Sequence, residues 1–136
     1  MSNIILNRLD FQRIQKNISD ARLSKSISAA EAERLINELN SAKVVEPTEI
    51  PDDVVTMNSV VKITFVNTNK QLKLAIVYPG QADIRENKIS IFSPVATALI
   101  GYRVGDLIDW VVPAGMTKIR IDEIVYQPEA SGDYDL

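Results

Sequence analysis

The feature that most constrains this chain is a change of hydrophobic spacing at a short segment rich in proline and acid, residues 46–53. Before it, apolar residues recur every three or four positions, as on one face of a helix; after it, they alternate with polar residues, as in a strand. Two prolines and four acids within the segment favour neither a helix nor a central strand. The sequence therefore predicts a helical part, 1–46, a linker, 47–53, and a sheet-forming part, 54–136.

The helical part predicts two antiparallel helices, a short coiled coil. The first covers roughly Asn7 to Leu23, and the second begins at Ser28, where Ser28 and Glu31 form a capping box, and continues to within a few residues of Val45. Each helix is about 25 Å long at 1.5 Å per residue. Burying the two apolar stripes against each other makes a hairpin, and packing both onto the following domain is the alternative. The stripes are Phe11, Ile14, Ile18 and Ala21, then Ala32, Leu35, Ile36, Leu39 and Ala42.

The second part predicts a small antiparallel α+β domain with about five strands and one short helix. The expected strands are 61–65, 72–76, 89–92, 107–112 and 118–126. A turn at Pro113-Ala114-Gly115 separates the last two. The final ten residues, 127–136, are polar and carry Glu129, Asp133 and Asp135, so we expect a partly ordered, solubilising tail.

The short helix of this domain carries unusually complete local signals. Ser93 can cap it by accepting a hydrogen bond from a free N–H of the first turn, an interaction worth ~1 kcal/mol. Pro94 suits the first helical position, and Gly101 lies where a left-handed residue often ends a helix. By themselves these signals describe a structural device between two turns.

Two absences exclude most catalytic chemistry. The chain has no histidine and no cysteine, which excludes Ser-His and Cys-His catalytic pairs, imidazole and thiolate metal ligands, and phosphohistidine. We therefore expect no catalytic residue, no metal site and no cofactor. A net charge of −3 argues against broad nonspecific binding of nucleic acid. With an apolar run of only three residues before Asp10, the N-terminus predicts neither a secretory signal nor a membrane span, so we expect a cytoplasmic protein.

Several motifs, taken in order, resemble the bacterial transcript-cleavage factors GreA and GreB. Ser93-Pro94, followed by Ala98-Leu99-Ile100-Gly101 and by Pro113-Ala114-Gly115, is similar to the C-terminal signature of that family. A second set of segments is similar to the Rnk proteins of the same family, the regulators of nucleoside diphosphate kinase. These segments are 53–59, 74–79, 103–106 and 126–134.

The resemblance implies an FKBP-like C-terminal domain that docks on RNA polymerase near the rim of its secondary channel. It also implies a helical arm that points into the channel, and competition with other factors that bind there. By motif match, the docking residues are Ser90, Ser93, Pro94 and Val95. The simpler role of Ser93 and Pro94 is to cap the helix.

The tip of the predicted hairpin departs from the GreA/GreB pattern. In those factors acidic residues at the tip help to hold a catalytic magnesium ion. Here the only acid of residues 20–28 is Asp20, accompanied by Arg22 and Lys25. One carboxylate between two cations holds a metal poorly, and an arm of about 25 Å is short. We therefore expect binding without transcript cleavage. Arg22 and Lys25 are most simply solvated loop residues, although near a polymerase channel they could contact acidic protein, nucleotide or RNA.

Two other functions stay open. An FKBP-like domain can be a peptidyl-prolyl isomerase, but those enzymes line their pocket with aromatic residues, and Trp110 is the only tryptophan, on a strand expected to pack in the core. The chain can also be an interaction module for another protein, including nucleoside diphosphate kinase; it cannot be that kinase, because it has no histidine. We expect a monomer that binds RNA polymerase, without direct sequence-specific contacts to nucleic acid.

Overall fold

The structure, a computed structural model, describes residues 4–25, 27–112 and 115–132, and at 110–112 the backbone alone. It has a helical N-terminal part followed by a sheet with one further helix, so the predicted α+β class is confirmed. Three short 3-10 helices lie at Pro47–Glu49, Pro79–Gln81 and Ile84–Glu86. The main elements are β1 (Ile5–Asn7), α1 (Arg8–Leu23), α2 (Ala29–Ser41), β2 (Lys43–Val45), β3 (Val60–Phe65), β4 (Lys70–Val77), β5 (Lys88–Ser90), α3 (Pro94–Leu99), β6 (Leu107–Val112) and β7 (Gly115–Tyr126).

Both helices of the hairpin begin at side-chain caps. The Asn7 side chain accepts a hydrogen bond from the Asp10 N–H at 2.7 Å, and Ser28 forms the predicted capping box with Glu31. The second helix is shorter than the sequence predicts. It ends at Ser41 instead of continuing to about Val45, because residues 43–45 form β2, which pairs in parallel with β1. Valine at two of those three positions favours a strand.

The main sheet has the strand order β5-β4-β3-β7-β6. Three of its pairings are antiparallel, as predicted, but β5 lies parallel to β4, so the sheet is mixed. The physical reason is the connection between the two strands. Residues 78–87, which contain two 3-10 helices, carry the chain back to a point beside Ala75. From there β5 runs in the same direction as β4. A tight turn at 66–69 joins β3 to β4 as the sequence predicts.

One hydrophobic cluster joins the helices to the sheet domain. Its members include Ile14 and Ile18 of α1, Leu35 of α2, and Ile63 and Ile121 of the sheet. The helices therefore pack on the following domain as well as on each other. Buried residues on both sides of residues 47–53 belong to this one cluster. The division of the chain into a helical domain, a linker and a sheet domain therefore stays a prediction.

The C-terminal segment corrects a prediction. Residues 127–129 are buried instead of forming a loose solubilising tail. Gln127 explains this locally, because its side-chain amide donates to the backbone oxygens of Pro51 at 2.8 Å and Val54 at 2.7 Å. These bonds tie the segment after β7 to the linker and to the residue that follows it. Asp133 and Asp135, the predicted turn at 113–114, and Ser26 of the predicted loop between the helices lie outside the described residues.

Gly101 offers a test of how closely the helical part approaches the sheet domain. Its φ is +83°, and an added Cβ would lie 2.6 Å from the Ile4 Cβ. Gly105 is a matched control, with φ +91° and nothing within 4 Å of an added Cβ. Alanine at either position costs about 1–2 kcal/mol for the left-handed backbone. We expect Gly101→Ala to lower the free energy of unfolding by a further 1–3 kcal/mol, roughly, measured by urea denaturation. Equal losses in the two variants would contradict the close approach.

Candidate functional site

The structure brings together the four residues expected to dock, and we call Ser90, Ser93, Pro94 and Val95 the α3 face. The Ser93 N–H donates to the Ser90 backbone oxygen at 2.9 Å, and the Ser93 hydroxyl accepts from the Ala96 N–H at 3.3 Å. The predicted cap is therefore confirmed. Pro94 is exposed at the first helical position, whereas Val95 is half-buried against the core. Docking itself stays a prediction.

A groove runs beside the α3 face. It has a volume of about 820 Å³ and lies between the second helix of the hairpin, α3 and β6. Its most exposed large apolar side chain is Leu107, which leaves 56% of its surface open. The groove therefore offers both apolar and charged side chains to a partner. Its lining consists of Arg34, Glu38, Pro94, Thr97, Ala98, Tyr102, Leu107, Ile108 and Asp109.

The hairpin tip, residues 20–25, lies at the end of the helical arm farthest from β1. Asp20 is paired with Lys16, with the Lys16 Nζ 3.6 Å from an Asp20 carboxylate oxygen. Arg22 lies in the last turn of α1, and Lys25 follows with a left-handed φ of +58°. Between them, Leu23 is 85% exposed. The tip thus presents cations and one apolar side chain, and its one carboxylate already has a cationic partner.

The described residues contain no cluster suited to a metal ion. Within 4–25, 27–112 and 115–132, no three acidic side chains are grouped closely enough to hold one. Carboxylate ligands are what a magnesium site requires. The tip as described can contribute at most one carboxylate to a metal held elsewhere.

A buried polar cluster joins the base of the hairpin to the sheet domain, and sequence reasoning missed it. We call it the polar junction, formed by Asn7, Asp10, Thr56, Tyr78 and Glu129. Asp10 is 1% exposed, and Glu129 is 8% exposed. Buried acids of this kind require partners, because burial of a charged group is costly unless hydrogen bonds compensate.

Every acid of the polar junction has hydrogen-bond donors. The carboxylate of Asp10 accepts from the Met57 N–H at 3.1 Å and from the Tyr78 hydroxyl at 3.3 Å. Glu129 accepts from the Asn7 amide at 2.5 Å and from the Thr56 hydroxyl at 2.8 Å. Asn7 therefore links the two acids, since its other amide atom caps the helix at Asp10.

The electrostatics of the polar junction favour a proton on Asp10. Burial, and secondly the negative charge of Glu129, raise the pKa of Asp10 to about 7, against the opposing effects of the Met57 N–H, the Tyr78 hydroxyl and Arg13. Burial also raises the pKa of the Tyr78 phenol, so Tyr78 stays a hydrogen-bond donor. The junction thus holds one ionisable group that titrates near neutral pH.

The sequence contains a pattern that indicates the burial of one of the two acids, Asp10. Asp10, Ile14 and Ile18 are spaced by four residues and share the buried face of α1, so an acid stands on an apolar stripe. The predicted stripe begins at Phe11, which is only partly buried, whereas the buried face begins at Asp10. Glu129 gave no comparable signal, because it stands in a polar terminal segment.

The comparisons with known proteins agree with this architecture. The sequence model described as "Transcription elongation factor, GreA/GreB, C-term" matches residues 50–126. The regulator of nucleoside diphosphate kinase of Escherichia coli K12 is 40% identical over 134 residues, covering 96% of this chain and 95% of that protein.

The chain belongs to the GreA/GreB family of transcription elongation factors. Transcription elongation factor GreA of Clostridium botulinum, strain Alaska E43, is 36% identical over 105 residues, which are 77% of this chain and 66% of that factor. A solved GreA/GreB factor from Nitrosomonas europaea has the same fold, with a TM-score of 0.73 and 36% identity over 93% of this chain and 100% of that one. The predicted family is confirmed, and its FKBP-like detail stays a prediction.

No helix of this GreA/GreB family member, within the part of the chain that the structure describes, is both long and apolar enough to cross a membrane. The predicted core role of Trp110 cannot be compared with the structure, because its side chain lies outside what is described.

The raised pKa of Asp10 predicts how stability changes with pH. The unfolded carboxyl titrates near pH 4, roughly, and the folded one near 7, so the folded protein binds the extra proton between these values. The free energy of unfolding should therefore fall as the pH rises through this window and level off above about 7. In Asp10→Asn, the fall in the free energy of unfolding across this pH window should be smaller by up to about 4 kcal/mol. The measurement is urea denaturation at several pH values within the window.

The amide at position 10 can accept from the Met57 N–H through its oxygen and donate through its NH2 group to the Tyr78 hydroxyl oxygen, so the variant suits the site once that hydroxyl turns its own proton away. Asp52→Asn, which changes an exposed acid, is the control and should follow the unmodified protein. The same slope in Asp10→Asn and the unmodified protein would refute the assignment of the proton to Asp10.

Proposed function

We propose that this protein is a transcription regulator that binds RNA polymerase near its secondary channel and competes there with Gre-type factors without stimulating transcript cleavage. Membership of the GreA/GreB family supports the partner and the general role. The observation that carries the absence of cleavage is the hairpin tip, where Asp20 is the one acid of the described residues 20–25 and is paired with Lys16.

The α3 face is the proposed docking surface. Pro94 is exposed, while Ser93 and Ser90 are occupied with backbone hydrogen bonds that hold the turn rigid. A rigid turn loses little conformational entropy on binding. The adjoining groove with Leu107 adds exposed apolar surface, which protein partners commonly cover.

The arm is the part that would enter the channel. With 16 residues in α1, it extends about 24 Å along its longer helix. A short arm that ends in Arg22 and Lys25 would occupy the channel without delivering paired carboxylates to a metal. The protein would act as a monomer in the cytoplasm, and its effect on nucleoside diphosphate kinase, if any, would follow indirectly from transcription.

Neither alternative has a specific supporting observation. An isomerase would need an aromatic pocket, and among the side chains that the structure describes the groove beside α3 is lined by one aromatic residue, Tyr102. A module for some other protein would use the same exposed surfaces. Retention of the protein by purified core polymerase is expected from the proposal and from neither of the two alternatives.

Pro94→Asp should weaken binding to core polymerase at least about tenfold, equivalent to about 1.4 kcal/mol, because it places a charge in the centre of the proposed interface. An acid suits the first turn of a helix, so α3 should keep its structure. The measurement is displacement of a fluorescently labelled Gre factor from core polymerase by increasing amounts of the protein.

The matched control is Thr68→Asp, which adds the same charge at an exposed residue of the β3–β4 turn, at the opposite end of β4 from its pairing with β5. This variant should compete like the unmodified protein. If Pro94→Asp competes as well as the unmodified protein, the α3 face is not the docking surface. If the unmodified protein displaces no Gre factor, the proposal that it competes with Gre factors is wrong.

In a cleavage assay on backtracked polymerase complexes, the protein should leave the RNA 3′ end intact, because a single carboxylate between Arg22 and Lys25 holds a metal ion poorly. The reaction is followed by the length of end-labelled RNA, with a Gre factor as the positive control. Asp20→Ala should behave like the unmodified protein. Shortening of the RNA that depends on Asp20 would overturn this part of the proposal.

A further inference from the structure

The connection from β4 to β5 closes in a tight loop, residues 83–88, which we call the Ile84 loop. Its two end residues pair with each other: the Asp83 N–H donates to the Lys88 backbone oxygen at 2.8 Å, and the Lys88 N–H donates to the Asp83 backbone oxygen at 2.9 Å. The Asp83 carboxylate also accepts from the Arg85 N–H at 3.0 Å. Asn87 turns the chain in the left-handed region, with φ +55°. The backbone of the loop is therefore fixed by its own hydrogen bonds.

Ile84 is displayed on the surface of this loop. It is 86% exposed, the largest exposure among the large apolar side chains that the structure describes. Single exposed apolar residues are common on protein surfaces, and exposure alone indicates no function. Here, however, the residue stands on a loop that is already ordered, so a partner that covers Ile84 loses little further conformational entropy. A preorganised apolar side chain of this kind is suited to anchor an interface.

The charges of the Ile84 loop leave one cation without an acidic partner. The Lys88 Nζ lies 3.0 Å from a Glu86 carboxylate oxygen, and the Asp83 carboxylate is occupied by the Arg85 backbone N–H. Arg85 is exposed, and within the part of the chain that the structure describes its guanidinium forms no ion pair. A partner that covers Ile84 therefore meets a positive charge beside it, which an acidic side chain would complement.

The Ile84 loop lies at the same edge of the sheet as the start of the α3 face. The edge strand there is β5, which begins at Lys88, where the loop closes, and ends at Ser90, the first residue of the α3 face. At about 3.3 Å per residue, Lys88 and Ser90 are about 7 Å apart along the strand. A partner docked on the α3 face can therefore reach the loop along β5.

We propose that the Ile84 loop is a second anchor on RNA polymerase, with Ile84 in an apolar pocket of the polymerase and Arg85 beside an acidic side chain at the rim of that pocket. This inference rests on the proposed function, since it extends the docking surface from the α3 face along β5. Burial of Ile84 contributes affinity, and the charge pair favours one orientation of the docked protein. Neither side chain belongs to the hydrophobic cluster, so variants at both positions should fold like the unmodified protein.

A fluorophore at position 84 tests whether polymerase covers the loop. The chain has no cysteine, so Ile84→Cys can carry a single dye whose emission moves to shorter wavelength when water is excluded. We expect this shift when core polymerase is added, saturating at the concentrations at which the protein displaces a Gre factor. Met116→Cys, labelled in the same way, is the matched control, because Met116 is also a largely exposed apolar residue but lies three strands away from β5, on β7. Its emission should stay constant.

The contribution of each side chain is measured without a dye on the protein, by displacement of a labelled Gre factor from core polymerase. Ile84→Ser should weaken competition at least about fivefold, whereas Met116→Ser should compete like the unmodified protein. Arg85→Glu should weaken competition by a similar factor. This loss should shrink as the salt concentration rises, because salt screens the repulsion between the new carboxylate and the acid of the partner.

Constant emission at position 84 on binding, together with full competition by Ile84→Ser, would overturn the anchor and leave docking through the α3 face intact. A shift that grows with the concentration of the protein alone would assign Ile84 to a contact between two copies, and would also overturn it. If the unmodified protein does not bind polymerase, the proposed function fails, and the anchor fails with it.

Discussion

The arrangement of the whole molecule depends on the seam where β1 joins the helical arm to the sheet domain. Ile4 and Leu6 are fully buried there, and the Ile5 N–H donates to the Gly101 backbone oxygen at 3.0 Å, at the end of α3. The Lys43 N–H, after the second helix, donates to the Ile4 backbone oxygen at 2.9 Å, directly before the strand. One three-residue strand thus connects both helices of the arm to the element that carries Pro94. The orientation of the arm relative to the α3 face is therefore set by backbone hydrogen bonds and by close packing at Gly101.

The polar junction lies beside this seam and, unlike it, is formed by polar and ionisable side chains. The seam consists of apolar side chains and backbone hydrogen bonds, whereas the junction buries two acids, and burial and then the negative charge of Glu129 raise the pKa of Asp10 to about 7. A molecule built only for stability could fill such a site with apolar side chains at no loss. The buried acids are instead fully hydrogen-bonded, which makes the contact between the two parts specific in geometry and responsive to charge.

The two ends of the molecule divide the proposed function between them. The α3 face offers a rigid turn and a groove to a partner, and the tip offers cations and an exposed leucine where metal-holding acids would be needed for cleavage. Under the proposed function, this family member would occupy a site on the transcription machinery without acting on RNA. The fold is shared with a solved GreA/GreB factor.

The sequence by itself determined the α+β class, the hairpin, the capped helix at Ser93 and the family, because caps, periodic stripes and turns act over a few neighbouring residues. Only the tertiary structure decided the end of α2 at Ser41, the parallel edge strand β5 and the burial of residues 127–129. Each of these depends on a partner far away in the chain: β1 for β2, β4 for β5, and the linker for Gln127. The polar junction has the same origin, since Asn7 and Glu129 are 122 residues apart and no local pattern encodes their contact.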